Sequence, residues 1–90
     1  MIESPRVKWI IEHLGKGKIL DIGFVGETQP FLHQKIRNNR PDETVVGVDI
    51  NQEKVIQLGM PNTLVCDAFK LPFKEGVFHT IVLAEVFEHH

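Results

Sequence analysis

Apolar residues recur with a helical period at the start of the chain. Val7, Ile10, Ile11 and Leu14 stand at i, i+3, i+4 and i+7 and form one stripe. Ser4 can cap this helix, Pro5 suits its first turn and Gly15 its stop. Trp9 falls off the centre of the stripe, at its rim. The pattern then shortens. Residues 18–22, KILDI, read as a strand, and GFVGETQ after it as a loop of small and polar residues. Pro30 opens a second helix over 30–38, with Leu32 and Ile36 on one face, and Asn38 to Glu43 form a turn cluster. Residues 44–49, TVVGVD, give a second strand. Asn51 caps a short helix that ends at Gly59, with Val55 and Leu58 toward the sheet. Residues 62–66, NTLVC, give a third strand, and 67–78, with Pro72 and Gly76, an irregular loop. Residues 79–84, HTIVLA, give a fourth strand whose nearly unbroken apolar run predicts burial on both faces.

Strands alternating with helices indicate an α/β fold, a Rossmann-like open parallel sheet. Right-handed crossovers put the helices after strands one and two on the same face, so the sheet grows one, two, three. Strand four, more apolar than strand three, belongs on the other side of strand one. The predicted order is 3-2-1-4, and growth reverses between strands one and four. Ligands of open α/β sheets enter at such a reversal, outside the carboxyl ends of the strands.

That rim is acidic. Asp21 ends strand one, Asp49 ends strand two, Asp67 follows strand three and Glu85 follows strand four. Singly, Asp21, Asp49 and Asp67 also read as turn formers, and Glu85 as part of a solvated helix face. Jointly, four like charges at one edge repel, and a ligand with hydroxyls and an ammonium group accounts for them better. Asp49 is placed to accept from a ribose diol, Asp67 from an exocyclic amine of adenine, and Asp21 and Glu85 suit an amino-acid ammonium. Gly23 and Gly26 allow a close backbone approach in a turn leading into a helix. Phe24 and Ile50 flank the position where a purine would lie.

Composition narrows the function classes. The 90 residues suffice for one small domain, and the 42% hydrophobic content supports a core. A net charge of −2 with scattered Lys and Arg gives no footprint for nucleic acid or an anionic membrane. No apolar run is long enough to span a bilayer, and the N-terminus has no secretory pattern. The single cysteine, Cys66, excludes an internal disulfide and suits a cytoplasmic setting. Beside Asp67 it lacks the electropositive surroundings of a reactive thiol. The five histidines show no metal-site spacing, so no metal is expected; His89 and His90 are native or the start of a purification tag.

These residues resemble a known family. KILDIGFVGE resembles motif I of class I S-adenosylmethionine-dependent methyltransferases, and VVGVDIN resembles their acidic strand-two motif. VCDAFKLPFKEGVFHTIVLAEVFEH resembles the stretch from the adenine-binding acid through strand four to a Glu-His signature. The chain is similar in particular to methyltransferase-11-like members with a Gly-x-Val-Gly turn and a following Leu-His pair, here Leu32 and His33. The resemblance implies S-adenosylmethionine as cofactor, with S-adenosylhomocysteine as its product form. Asp21, Gly23 and Gly26 would line its methionine end. Asp49 would hold the ribose, Ile50 would pack on adenine, Asp67 and the Ala68 backbone would read the adenine edge, and Glu85 would lie beside the amino group. The commoner motif I has glycine where this chain has Val25 and Glu27, and an acid often stands where it has His79.

The resemblance also implies that residues 1–90 form a partial methyltransferase domain, the cofactor-binding half, truncated to about four strands. Complete members carry further strands that bind the methyl acceptor, so no efficient transfer, and no assignable catalytic residue, is expected of this chain alone. Strand four then becomes an apolar edge, and the sheet face opposite the crossover helices is poorly covered. Both predict a homo-oligomer. Two other readings stay open: an NAD-type dinucleotide-binding module, disfavoured by G-x-x-G in place of G-x-G-x-x-G, and a non-binding fragment stable only as an oligomer.

Overall fold

The computed structural model describes residues 5–26 and 29–83. The elements run α1 (Pro5–Glu12), β1 (Ile19–Ile22), α2 (Gln29–Asn39), β2 (Val45–Asp49), α3 (Gln52–Leu58), β3 (Thr63–Val65) and β4 (Thr80–Val82). The four strands make one parallel sheet in the order β3-β2-β1-β4, the predicted Rossmann-like arrangement. Asp21 lies opposite Gly47 on one side and Val82 on the other, and Val48 lies opposite Leu64.

Strand alternation divides the core in two. On one face Ile19, Val45 and Val82 pack with Leu14, Leu32 and Ile36, flanked by Val7, Ile10 and Ile11 of α1. On the other, Leu20, Ile22 and Val48 pack with Val46 of β2 and are covered by Cys66, Ala68, Leu71, Phe73 and Phe78. The Phe73 and Phe78 rings meet edge to face with centroids 4.9 Å apart. This second cluster corrects the expectation of a poorly covered face. The segment between β3 and β4 is irregular, as predicted, yet it carries enough apolar side chains to bury Leu20, Ile22 and Val48.

Other expectations shift locally. The first helix ends at Glu12 rather than Leu14: His13 N–H still reaches the Trp9 carbonyl at 3.1 Å, but Leu14 N–H reaches the Ile11 carbonyl instead, at 3.4 Å, and the His13 ring stacks on Trp9 and bonds its carbonyl at 2.7 Å. Leu14, just beyond, still anchors the stripe in the core. The Ser4 cap lies outside the described residues. Asn51 caps α3 by accepting from Lys54 N–H at 3.1 Å, and Gly59 ends it in the left-handed region at φ 58°. Val55 is buried, but Leu58 is exposed, so only one of the two expected contacts forms. The double-sided burial expected for strand four is also corrected. Val82 is buried toward the helices, whereas Ile81 on the other face is 53% exposed, because the loop cover stops short of this edge.

Candidate functional site

A cavity of about 330 Å³ opens at the carboxyl ends of β1, β2 and β3, near the low end of small-molecule sites. Ile22, Gly23, Gly26, Val48, Asp49, Ile50, Cys66, Asp67, Ala68 and Phe69 line it. The strand ends themselves build it. Gly23 takes φ 77°, a conformation natural to glycine, and gives its N–H to the Val48 carbonyl at 2.8 Å. Two residues on, Val25 donates its N–H to Asp49 Oδ2 at 3.1 Å. Asp49 Oδ1 accepts from Asn51 N–H at 2.9 Å. The Asp49 carboxylate thus ties the glycine turn to the end of β2. Among the described residues each of its oxygens holds one donor, which leaves about two of a carboxylate's roughly four acceptor positions for a ligand. Across the cavity Asp67 Oδ1 accepts from Phe69 N–H at 2.9 Å, and Cys66 N–H bonds the Asp49 carbonyl at 3.0 Å. Burial, and then the neighbouring Asp67, push the Cys66 thiol up, which keeps it protonated and a poor nucleophile.

Six of the nine candidate residues therefore share one cavity: Gly23, Gly26, Asp49, Ile50, Asp67 and Ala68. Glu85 lies outside the described residues. Asp21 and Phe24 are wholly buried and turn to the opposite face, under the helices. The expected sandwich of a purine between Phe24 and Ile50 is corrected accordingly, since the Phe24 ring packs inward. The rim's described carboxylates on the cavity are two, Asp49 and Asp67, and Asp21 lies beneath.

Asp21 has a different partner. Its Oδ2 accepts from His33 Nδ1 at 2.8 Å, both side chains being fully buried, and its Oδ1 has no hydrogen-bond partner among the described residues. Arg37 Nε donates to His33 Nε2 at 2.9 Å, and Arg37 Nη2 donates to the carbonyls of Val45, at 3.1 Å, and Pro61. Burial pushes the Asp21 carboxyl above its ordinary value. The His33 hydrogen bond opposes this and nearby Asp49 adds to it. Burial pulls the Arg37 guanidinium down, against the attraction of Asp21. The His33 and Phe24 rings lie 4.8 Å apart and fill the space over Gly47, where a Cβ would meet both at 2.9 Å.

Sequence reading missed Arg37 and Gly47, and it noted His33 only as half of the Leu32–His33 pair, without its partners. The signal was present: positions 32, 33, 36 and 37 share one face of a 3.6-residue helix, but only the apolar pair was counted. At the opposite end of the sheet, His79 stands where an acid is common, and its Nδ1 accepts from Lys18 N–H at 3.1 Å. A Cβ at Gly17 would strike this ring.

The chemistry of the cavity fits an adenosine-type ligand. Apolar walls from Ile22, Val48, Ile50 and Ala68 suit a flat base, and the spare acceptors of Asp49 suit vicinal hydroxyls. Comparison with known proteins gives the family. The family model described as "Methyltransferase domain" matches residues 20–90, more than half of the chain. No curated protein and no solved structure matches it. The chain belongs to the methyltransferase domain family and is a class I S-adenosylmethionine-dependent methyltransferase-like domain.

Proposed function

We propose that the cavity at the ends of β1, β2 and β3 binds S-adenosylmethionine and its product S-adenosylhomocysteine. The observation that carries this reading is the Asp49 carboxylate, fixed by two backbone donors among the described residues and lining a cavity with apolar walls. Asp49 accepts the ribose hydroxyls, Ile50 packs on the adenine, and Asp67 with the Ala68 backbone reads its edge. Gly23 and Gly26 admit the methionine end, and Glu85 is assigned to its amino group. Asp21 supports this end from beneath. The bound cofactor supplies an electrophilic sulfonium methyl, while the chain's own residues bind and orient it.

Residues 1–90 act in this reading as the cofactor-binding part of a methyltransferase domain. Transfer needs an acceptor nucleophile held in line with the methyl group, and none of the described residues is assigned to it. Cofactor binding rather than turnover is thus the activity proposed for this chain. The exposed Ile81 and Leu83 at the β4 edge support self-association through that strand or the adjoining open part of the sheet. No helix among the described residues is long and apolar enough to cross a membrane. The lone Cys66 and the scattered Lys and Arg support a cytoplasmic protein whose partner is the cofactor rather than nucleic acid or an anionic membrane surface.

Calorimetric titration with S-adenosylhomocysteine and with NAD tests the reading. Binding of the former is expected, and Asp49→Ala should weaken it by about 2–3 kcal/mol, the scale of charge-assisted hydrogen bonds. Binding of NAD without S-adenosylhomocysteine, or an unchanged affinity in a folded Asp49→Ala protein, overturns it.

A further inference from the structure

The Leu32–His33 pair singled out in the sequence has no place in the lining of the cavity, yet His33 is fully buried and bonded at both ring nitrogens. We propose that His33, clamped between Arg37 and Asp21, is a positioning residue that sets the Gly23–Gly26 turn against the end of β2.

Arg37 sets the direction of both bonds. A guanidinium Nε–H donates in every accessible protonation state. His33 Nε2, 2.9 Å away, must therefore accept. The imidazole proton then sits on Nδ1 and is donated to Asp21 Oδ2 at 2.8 Å. Two directional bonds on opposite sides of the ring fix its rotation. Arg37 is itself held by the carbonyls of Val45 and Pro61, so the clamp is fastened to β2 and to the chain entering β3.

The fixed ring is the floor on which Phe24 rests, and the two rings together occupy the room left at Gly47. Phe24 lies between Gly23, bonded to the Val48 carbonyl, and Val25, bonded to Asp49 Oδ2. A shift of the His33 ring displaces Phe24, and Phe24 carries the Val25 N–H away from Asp49. The carboxylate assigned to the ribose then loses one of the two donors that orient it. The charged groups around the clamp are Asp21 from β1, Arg37 from α2 and Asp49 from β2. The affinity part of this inference rests on the cofactor reading; the geometric part does not.

Nitrogen-15 NMR of the whole chain tests both parts. Two-bond correlations of His33 should show a protonated Nδ1 and an unprotonated Nε2. Arg37→Met, at a half-buried position, should blur this single-tautomer signature and shift the Gly23 and Val25 amide signals. His33→Phe keeps a ring against Phe24 but offers Asp21 no donor, and should move the same two amides. Either change should weaken S-adenosylhomocysteine binding roughly ten- to a hundredfold, the scale for removing a supporting hydrogen bond behind a ligand contact. His33→Asn, whose amide N–H can stand where Nδ1–H does, should recover part of that loss. A proton on Nε2 in the wild type overturns the proposal. So do Gly23 and Val25 signals and affinity unchanged in Arg37→Met and His33→Phe, and if His33→Phe does not fold, Arg37→Met decides alone. A wild type that ignores S-adenosylhomocysteine sinks the cofactor reading instead, while the tautomer and amide signals still decide the clamp.

Discussion

On one face of the sheet α1 and α2 close over Ile19, Val45 and Val82; on the other, irregular chain between Cys66 and Phe78 closes over Leu20, Ile22 and Val48. The two covers differ in kind. A helix satisfies its own backbone and can lie flat on an apolar surface, so the helical face is dry enough to enclose Asp21 and His33. Irregular chain must keep many of its N–H and C=O groups near water, so its cover is partial. It leaves Leu64 and Ile81 exposed at the two margins of the sheet and leaves the cavity open at the strand ends. The difference assigns stability to the first face and ligand access to the second.

The sharpest way to break this comparison is in the helical core. Ile36 is fully buried there, and Ile36→Ala should cost about 2–5 kcal/mol in urea denaturation, enough to unfold much of so small a domain. Phe73→Ala on the loop side should cost less, roughly 1–2 kcal/mol, because it removes a half-buried ring and one edge-to-face pair. Equal losses at the two positions would show that the loop is as much a part of the core as the helices.

A smaller effect sharpens the contrast through pH. Burial raises the Asp21 carboxyl above 3.8, its ordinary value. Between that value and the raised one the folded chain holds more protons than the unfolded chain, so this group's contribution to stability falls as pH rises. Asp21→Asn, which cannot ionise, should remove that fall. The stability of the wild type relative to Asp21→Asn should therefore decline as pH is raised from below 3.8, as read by denaturation at a series of pH values. A difference that stays flat or grows with pH would place Asp21 in a solvated setting like that of the cavity rim.

Much of the fold was legible in the chain. Helical and strand periods, with Asn51, Gly59 and Pro72 as punctuation, gave the element order, and crossover handedness gave the order 3-2-1-4. The position of Asp49 and Asp67 at strand ends was enough to bring them to one cavity. Asp21 was legible only in part. It shares the parity of Ile19, whose side chain lies under the helices, so alternation alone turns it away from the cavity that Ile22 lines.

The sequence by itself determined which residues are apolar, where the backbone can turn and in what order the strands lie, because these follow from local periodicity and chain handedness. Only the tertiary structure decided that Gly47, facing Asp21 across the sheet, leaves the room in which His33 and Phe24 settle. Only it decided that the loop after β3 folds back over Leu20 and Val48. Both outcomes depend on contacts between residues far apart in the chain, whose register is fixed by strand pairing and packing and leaves no periodic trace in the sequence.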